Sequence, residues 1–214
     1  MKTKLLAAAL ICALGTQVSA YTKADQLLNA IENKNVSLVN SLVKYGVDPN
    51  LNIELYNTTP LMHAVETSTV EVVETLIKYG SKIDVADSFG TTPLIYSIKT
   101  NKDDIASLLI KKSEKINMKD SKGRSALLYA AKKGNEKLYE QIVAKGGNVQ
   151  EVDASGNNTL LHAISGRNKK LINTLIDSKS FDLAHTNESG ENAYKVAQRV
   201  QLPEIAKRVS KGRN

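Results

Sequence analysis

Few residues of this 214-residue chain have the types and spacing that catalysis or metal binding requires. The three histidines are His63, His162 and His185, and none lies in a His-Glu-x-x-His zinc pattern. The sequence contains neither a Gly-x-Ser-x-Gly nucleophile turn nor a glycine-rich phosphate loop. Cys12 is the single cysteine. We therefore expect no catalytic residue, no metal and no cofactor, and we expect that the protein is not an enzyme.

Three aspartates recur at a spacing of 33 residues, each of them three residues before a glycine. The aspartates are Asp87, Asp120 and Asp153, and the glycines are Gly90, Gly123 and Gly156. An Asp side chain bonds to backbone N–H groups two residues on, and Gly adopts positive φ without strain. We therefore interpret the aspartates as turn residues and not as catalytic carboxylates.

The elements that must position these turns recur with the same period. A leucine column keeps the 33-residue step, at Leu61, Leu94, Leu127 and Leu160. In the unit over residues 87–119, Thr92 suits a helix N-cap and Pro93 suits the first helical position. Apolar residues at helical spacing within 105–109 then predict a second helix. A period of this length predicts stacked supersecondary units that bury their apolar faces only against one another.

This arrangement resembles the ankyrin repeat, because residues 59–64 (Thr-Pro-Leu-Met-His-Ala) and 79–84 (Tyr-Gly-Ser-Lys-Ile-Asp) are close to the family pattern. The resemblance implies an all-α fold: an ankyrin-repeat solenoid of about six helix-turn-helix units with short projecting β-turn fingers, forming one domain over residues 21–214. We place the units near residues 24–56, 57–89, 90–122, 123–155, 156–189 and 190–214. Their first helices are predicted to begin near Gln26, Thr59, Thr92, Ser125, Asn158 and Asn192. The two end units depart from the pattern, as capping units with a polar outer face do.

The amino terminus has the three-part layout of a secretory signal peptide. Lys2 and Lys4 form a basic start, an apolar run of ten residues covers 5–14, and small residues at 18–20 offer a cleavage point after Ala20. Ten apolar residues are too few to span a bilayer. We predict a cleaved signal peptide over residues 1–20 and export across the inner membrane into the periplasm. The resemblance is accordingly to bacterial periplasmic ankyrin-repeat proteins.

The charge balance excludes some classes of partner. Removal of Lys2 and Lys4 lowers the formal net charge from +7 to +5. No block of five like charges occurs, so the tail that is typical of nucleic-acid binding is missing. We expect another protein, such as a periplasmic enzyme, as the partner. We expect no nucleic acid, no membrane after signal cleavage, and a monomer when the protein is alone.

Apolar residues in the finger between units one and two suggest one binding element. The interval from Gly46 to Pro60 is one residue longer than the equivalent interval in the next unit. It carries Ile53, Leu55 and Tyr56, where the other fingers carry mostly small and charged residues. Apolar groups on a projecting loop suit a partner contact. The alternative is that they fold back onto the amino-terminal cap.

A column of planar side chains suggests a second binding element. Its members, at 33-residue spacing, are His63, Tyr96, Tyr129 and His162. The column lies two residues after the leucine column and therefore points about 200° away from it. The family resemblance places this position beside the concave face, where the column could form a recognition strip together with Phe89 in the second finger. The alternative is that the planar residues only stack on one another.

Basic residues follow the ends of the first helices in units three to five. These residues, here called the basic stripe, are Lys99, Lys132, Lys133 and Arg167. Such a stripe could attract an acidic partner or an anionic polymer and raise the association rate. The alternative is an ordinary solvated face.

Ankyrin-family proteins bind macromolecules through finger tips and the concave face, and this resemblance sets our functional hypothesis. We predict a non-catalytic periplasmic protein–protein interaction module, acting as an inhibitor or immunity protein against a periplasmic cell-wall hydrolase. The alternatives are an array that binds an anionic polymer or cell-wall glycan through the basic stripe, and a stress-protection partner of an oxidative-stress enzyme.

Overall fold

The computed structural model describes residues 22–53 and 58–210, which form twelve helices. The helices are α1 (Lys23–Glu32), α2 (Val36–Lys44), α3 (Pro60–Thr67), α4 (Val70–Lys78), α5 (Pro93–Lys99), α6 (Asp103–Lys112), α7 (Ala126–Lys133), α8 (Glu136–Ala144), α9 (Thr159–Gly166), α10 (Lys169–Asp177), α11 (Ala193–Arg199) and α12 (Pro203–Ser210). These ranges contain isolated antiparallel bridges but no strand. The predicted signal peptide, Leu55 and Tyr56 lie outside the described residues.

The twelve helices form six consecutive pairs, each a short first helix followed by a second helix. Five of the first helices begin where the sequence predicts them, because a capping side chain accepts a backbone N–H. The Thr92 hydroxyl accepts from the Ile95 N–H at 3.2 Å, and Asn158 Oδ1 accepts from the Leu161 N–H at 3.0 Å. The first helix begins three residues earlier than predicted, at Lys23, because Thr22 and Asp25 form a capping box.

The leucine column lies in the core between neighbouring first helices. Leu61, Leu127 and Leu160 are fully buried, and Leu94 is 5 % exposed. Each first helix packs on the first helix of the next pair, and most second helices do the same. The predicted all-α solenoid of about six helix-turn-helix units is therefore confirmed. No helix in the described ranges is long and apolar enough to cross a membrane.

Helices α7 and α9 approach each other unusually closely at one glycine. A Cβ atom on Gly166 would lie 2.0 Å from the backbone oxygen of Lys132. This contact is far shorter than van der Waals separation, so the two helices can pack at this distance only because residue 166 has no side chain.

Candidate interaction surface

The fingers are built by the aspartates that the sequence singles out. Asp120 Oδ1 accepts from the backbone N–H groups of Lys122 at 2.9 Å and Arg124 at 3.0 Å. The Gly123 N–H closes the turn onto the Asp120 backbone oxygen at 2.8 Å, with φ of 69° at the glycine. Asp87 and Asp153 make equivalent bonds in their own fingers. The interpretation of the three aspartates as turn residues is confirmed.

Neighbouring fingers are joined by backbone hydrogen bonds. The Ser121 N–H donates to Phe89 O at 2.8 Å, and the Ala154 N–H donates to Lys122 O at 2.9 Å. The Glu188 N–H continues the row to Ser155 O at 3.0 Å. The finger tips are therefore held in a fixed row, which lowers the conformational entropy that a partner must remove on binding.

In the amino-terminal half of the solenoid, the planar column bonds to carboxylates of the preceding pair. His63 Nε2 lies 3.2 Å from Glu32 Oε1 at the end of α1. Tyr96 hydrogen-bonds to Glu66, which lies near the end of α3. Burial, this hydrogen bond and the Glu66 charge together raise the pKa of Tyr96 to about 12. Both rings are half-buried and keep part of their surface for a partner.

In the carboxy-terminal half, the same column bonds to the aspartate of the finger that directly precedes each first helix. The Tyr129 hydroxyl donates to Asp120 Oδ2 at 2.6 Å, and His162 Nε2 lies 3.0 Å from Asp153 Oδ2. Tyr129 is 9 % exposed and His162 is 4 % exposed. These two rings therefore tie first helices to fingers and leave little surface for a partner.

The surroundings of His162 and Asp153 lower the pKa values of both side chains. Burial lowers the pKa of His162 to about 4, so the imidazole is neutral at physiological pH. Burial opposes ionisation of Asp153, but hydrogen bonds from the Asn157 backbone and the Arg124 side chain lower its pKa to about 2. Arg124 Nε donates to Asp153 Oδ2 at 3.0 Å. This buried network fixes the finger between units four and five.

The predicted apolar contacts lie in the first two fingers. Ile53 is half-buried, and its N–H donates to Thr58 O at 2.9 Å across a local antiparallel bridge. Leu51, two residues earlier, packs against the core. Phe89 is 54 % exposed at the tip of the second finger. Apolar surface is therefore available at the finger tips, and the role of Ile53 and Phe89 in binding stays a prediction.

The basic stripe divides into two parts. In the first part, Lys99 places its ammonium 5.6 Å from the centre of the Tyr129 ring, and Lys132 and Lys133 are exposed at the end of α7. In the second part, Arg167 donates to the Val200 backbone oxygen at 2.6 Å and so joins units five and six.

Two further basic residues belong to this surface, although the stripe prediction left them out. Lys122 is exposed at a finger tip, and Arg124 follows it at the base of the same finger. Burial and then repulsion from Arg124 and Lys122 lower the pKa of Lys132. The stripe prediction considered only the ends of the first helices, so these two finger residues were missed.

The histidines do not converge. His63 and His162 contact different carboxylates, and His185 Nε2 lies 2.8 Å from the Gly156 backbone oxygen. Within residues 22–53 and 58–210, no group of three or more His, Cys, Asp or Glu side chains is placed to hold a metal ion.

Comparison with known proteins adds a family and several structural relatives. The family model described as ankyrin repeats (3 copies) matches residues 27–120 and 108–187. A search of the curated proteins finds no match.

Solved structures match almost the whole chain. One is a chain from the structure titled "Bd0816 Predatory Endopeptidase from Bdellovibrio bacteriovorus in complex with immunity protein Bd3460", with 25 % identity, a TM-score of 0.76, and coverage of 87 % of this chain and 97 % of that chain. Another is EF0377, an ankyrin-repeat protein, with 21 % identity, a TM-score of 0.76, and coverage of 88 % of this chain and 98 % of that chain. A third is an ankyrin-repeat domain, ABAYE2397, from Acinetobacter baumannii AYE, with 21 % identity, a TM-score of 0.75, and coverage of 86 % and 95 %.

Proposed function

This chain belongs to the ankyrin-repeat family of protein-interaction modules, and from that premise we propose that it is a non-catalytic inhibitor or immunity protein. Its target in this proposal is a hydrolase that attacks the cell wall in the periplasm. The observation that carries the proposal is the similarity, over 87 % of the chain, to a chain from an endopeptidase–immunity protein complex.

Three features of the molecule support a role in holding another protein. The finger row is fixed by backbone hydrogen bonds between successive tips, so a partner meets a preformed surface. Phe89 and the half-buried Ile53 offer apolar contacts at those tips. Exposed lysines on the third finger and at the ends of the first helices favour an acidic partner surface.

The inhibition itself is tested with the secreted and periplasmic proteins of the producing cells. We expect the purified chain, added in excess, to suppress the release of soluble fragments from dye-labelled peptidoglycan. We expect the suppressed enzyme to remain bound to the tagged chain. If hydrolysis is unchanged at every concentration of the chain, this target class is wrong.

Export is tested separately. Residues 1–20 fused to alkaline phosphatase should give an enzyme that is active only after crossing the inner membrane, and the natural chain should begin at Tyr21 when its amino terminus is sequenced. An inactive fusion together with an uncleaved chain would contradict the periplasmic part of the proposal.

The alternative of an anionic polymer has a specific observation in its favour, which is the exposed group of lysines near Tyr129. Association through exposed charges alone weakens strongly as salt rises, because ionic screening acts over about 8–10 Å at physiological ionic strength. A hydrolase bound partly through apolar finger tips should remain bound at high salt.

A further inference from the structure

Three exposed lysines lie between the third finger and the first helices on either side of it. They are Lys99 at the end of α5, Lys132 in the last turn of α7 and Lys122 at the finger tip, and we call them the lysine cluster. The ammonium of Lys99 lies over the ring of Tyr129, and Lys132 follows Tyr129 by three residues on the same face of α7. Lys122 follows Asp120 by two residues, and the Tyr129 hydroxyl donates to the Asp120 carboxylate at 2.6 Å. Within the described part of the chain, none of the three forms an ion pair.

Two buried carboxylates lie near the cluster without forming an ion pair with it. Asp120 is 8 % exposed, and its oxygens accept from two backbone N–H groups and from the Tyr129 hydroxyl. Asp153 is 4 % exposed, and it is bonded to Arg124 and His162. Both carboxylates are used to hold the fingers and form no ion pair with the cluster, so they offset its positive charge only in part. Burial, Arg124 and Lys122 lower the pKa of Lys132, whereas the Asp153 charge raises it.

The energetic state of Lys132 supports this description. Partial burial lowers the pKa of its ammonium, and the neighbouring Arg124 and Lys122 lower it further. An incoming carboxylate would relieve this repulsion, because opposite charges a few ångströms apart favour the ionised forms of both groups.

The cluster is compact and does not continue along the solenoid. In the next unit, Arg167 bonds to Val200 O, Lys169 lies 3.4 Å from Glu204, and Lys170 pairs with Glu136. Lys99 and Lys132 lie on neighbouring first helices, and stacked helices are spaced by about 8–10 Å. An extended chain advances about 3.3 Å per residue, so a segment of about six residues is long enough to contact both helices and the finger between them.

The aromatic ring within the cluster disfavours a sugar ligand. Tyr129 is 9 % exposed, and the ammonium of Lys99 covers its ring at 5.6 Å from the centre. A sugar ring therefore finds no free aromatic face to stack on at Tyr129. Carboxylate side chains need only the exposed ammonium groups.

We propose that the lysine cluster is the docking point for a short acidic segment of the protein partner, rich in Asp and Glu. This inference rests on the proposed function only in taking the ligand to be a protein. It adds the surface that receives the partner and the chemistry of the segment that binds there. The carboxylates pair with the three ammonium groups, while the finger tips contact the remainder of the partner.

The experiment uses two labelled probes of equal charge, a hexaglutamate peptide and a hexagalacturonate oligosaccharide, in fluorescence anisotropy at low ionic strength. The full chain is compared with the variant Lys99→Gln/Lys122→Gln/Lys132→Gln. The matched control is Lys111→Gln/Lys112→Gln/Lys137→Gln, which removes the same charge from exposed positions on second helices. Thermal unfolding by circular dichroism verifies that all three proteins are folded.

We expect the cluster variant to lose at least tenfold in affinity for hexaglutamate and the control variant to stay within about twofold of the natural chain. Equal losses in the two variants, or no loss in the cluster variant, would overturn the proposal. Tighter and lysine-dependent binding of hexagalacturonate would overturn it in favour of a glycan site. The anisotropy experiment does not use a hydrolase, so it is independent of the test of the proposed function. If no hydrolase binds the chain, the proposed function is wrong, but the affinity of the lysine cluster for hexaglutamate is unaffected.

Discussion

Tyr129 and Asp120, nine residues apart in the chain, meet through a hydrogen bond of 2.6 Å that ties α7 to the finger before it. We expect Tyr129→Phe to lower the free energy of unfolding by about 1–2 kcal/mol, because a buried carboxylate oxygen loses its donor. Urea denaturation measures this change.

The control for that variant is Tyr45→Phe, since Tyr45 is 76 % exposed. Loss of an exposed hydroxyl should change the free energy of unfolding by less than about 0.5 kcal/mol. If Tyr129→Phe and Tyr45→Phe are equally stable, the bond to Asp120 does not hold the finger.

The second prediction concerns the stability of the protein in acid. The pKa of His162 is lowered from 6.5 to about 4 in the fold, so between these values the unfolded chain binds a proton that the native chain does not. Stability contributed by His162 is therefore complete above pH 6.5 and is lost as the pH falls towards 4. Asp153, with its pKa lowered to about 2, loses its contribution at still lower pH.

The measurement is the free energy of unfolding at pH 7 and pH 5 for the natural chain and for His162→Gln. Burial raises the pKa of Glu151, so this residue makes the folded protein more stable as the pH falls, which is opposite to the effect of His162. Glu151 is present in both proteins, so its effect cancels in the comparison. We expect the natural chain to lose more stability on acidification than the variant, by up to about 1.4 kcal/mol per pH unit. Identical slopes in the two proteins would show that His162 is not the group responsible.

The third prediction tests the close approach of α7 and α9. Gly166→Ala places a Cβ atom 2.0 Å from Lys132 O, and the helices must separate to admit it. We expect a loss of about 1–3 kcal/mol, as for other overpacked sites. The half-buried neighbour provides the control, because Ser165→Ala should be near neutral in a helix. A melting temperature for Gly166→Ala equal to that of Ser165→Ala would contradict the packing described here.

The fourth prediction tests the first finger. Ile53→Asp should abolish binding to the partner while the fold stays intact, because it puts a charge where an apolar contact is expected. Asn52→Asp introduces the same charge one residue earlier, at an exposed position, and should bind normally. Tyr56→Ala, outside the described residues, should also abolish binding. Titration calorimetry against the isolated partner gives the affinities, and survival of binding in both Ile53→Asp and Tyr56→Ala would remove this finger from the interface.

The architecture could be predicted from the sequence because each repeated residue acts locally. Thr92 caps its own helix through Ile95, and Asp120 bends its own turn around Gly123. Such interactions span a few residues, so a repeated spacing reveals them. The start of α1 was predicted three residues too late, because the capping box at Thr22 is not part of the repeated pattern.

The details of the interaction surface depend on contacts between units and were harder to predict. The planar column looks uniform in the sequence, yet Tyr96 bonds to Glu66 at the end of the preceding first helix, whereas Tyr129 bonds to Asp120 in the finger before its own helix. This change of partner decides which rings remain accessible. The repulsion of Lys132 by Lys122 likewise depends on how the finger stacks on its neighbours, which no local pattern encodes.

The central claim is that this chain inhibits a cell-wall hydrolase by binding it, and a titration of enzyme activity tests the claim most directly. The isolated partner is assayed on labelled peptidoglycan at a fixed concentration while the chain is added in steps. We predict that hydrolysis falls in proportion to the added chain and ends near one chain per enzyme. A partner that stays bound and fully active at saturation would contradict inhibition.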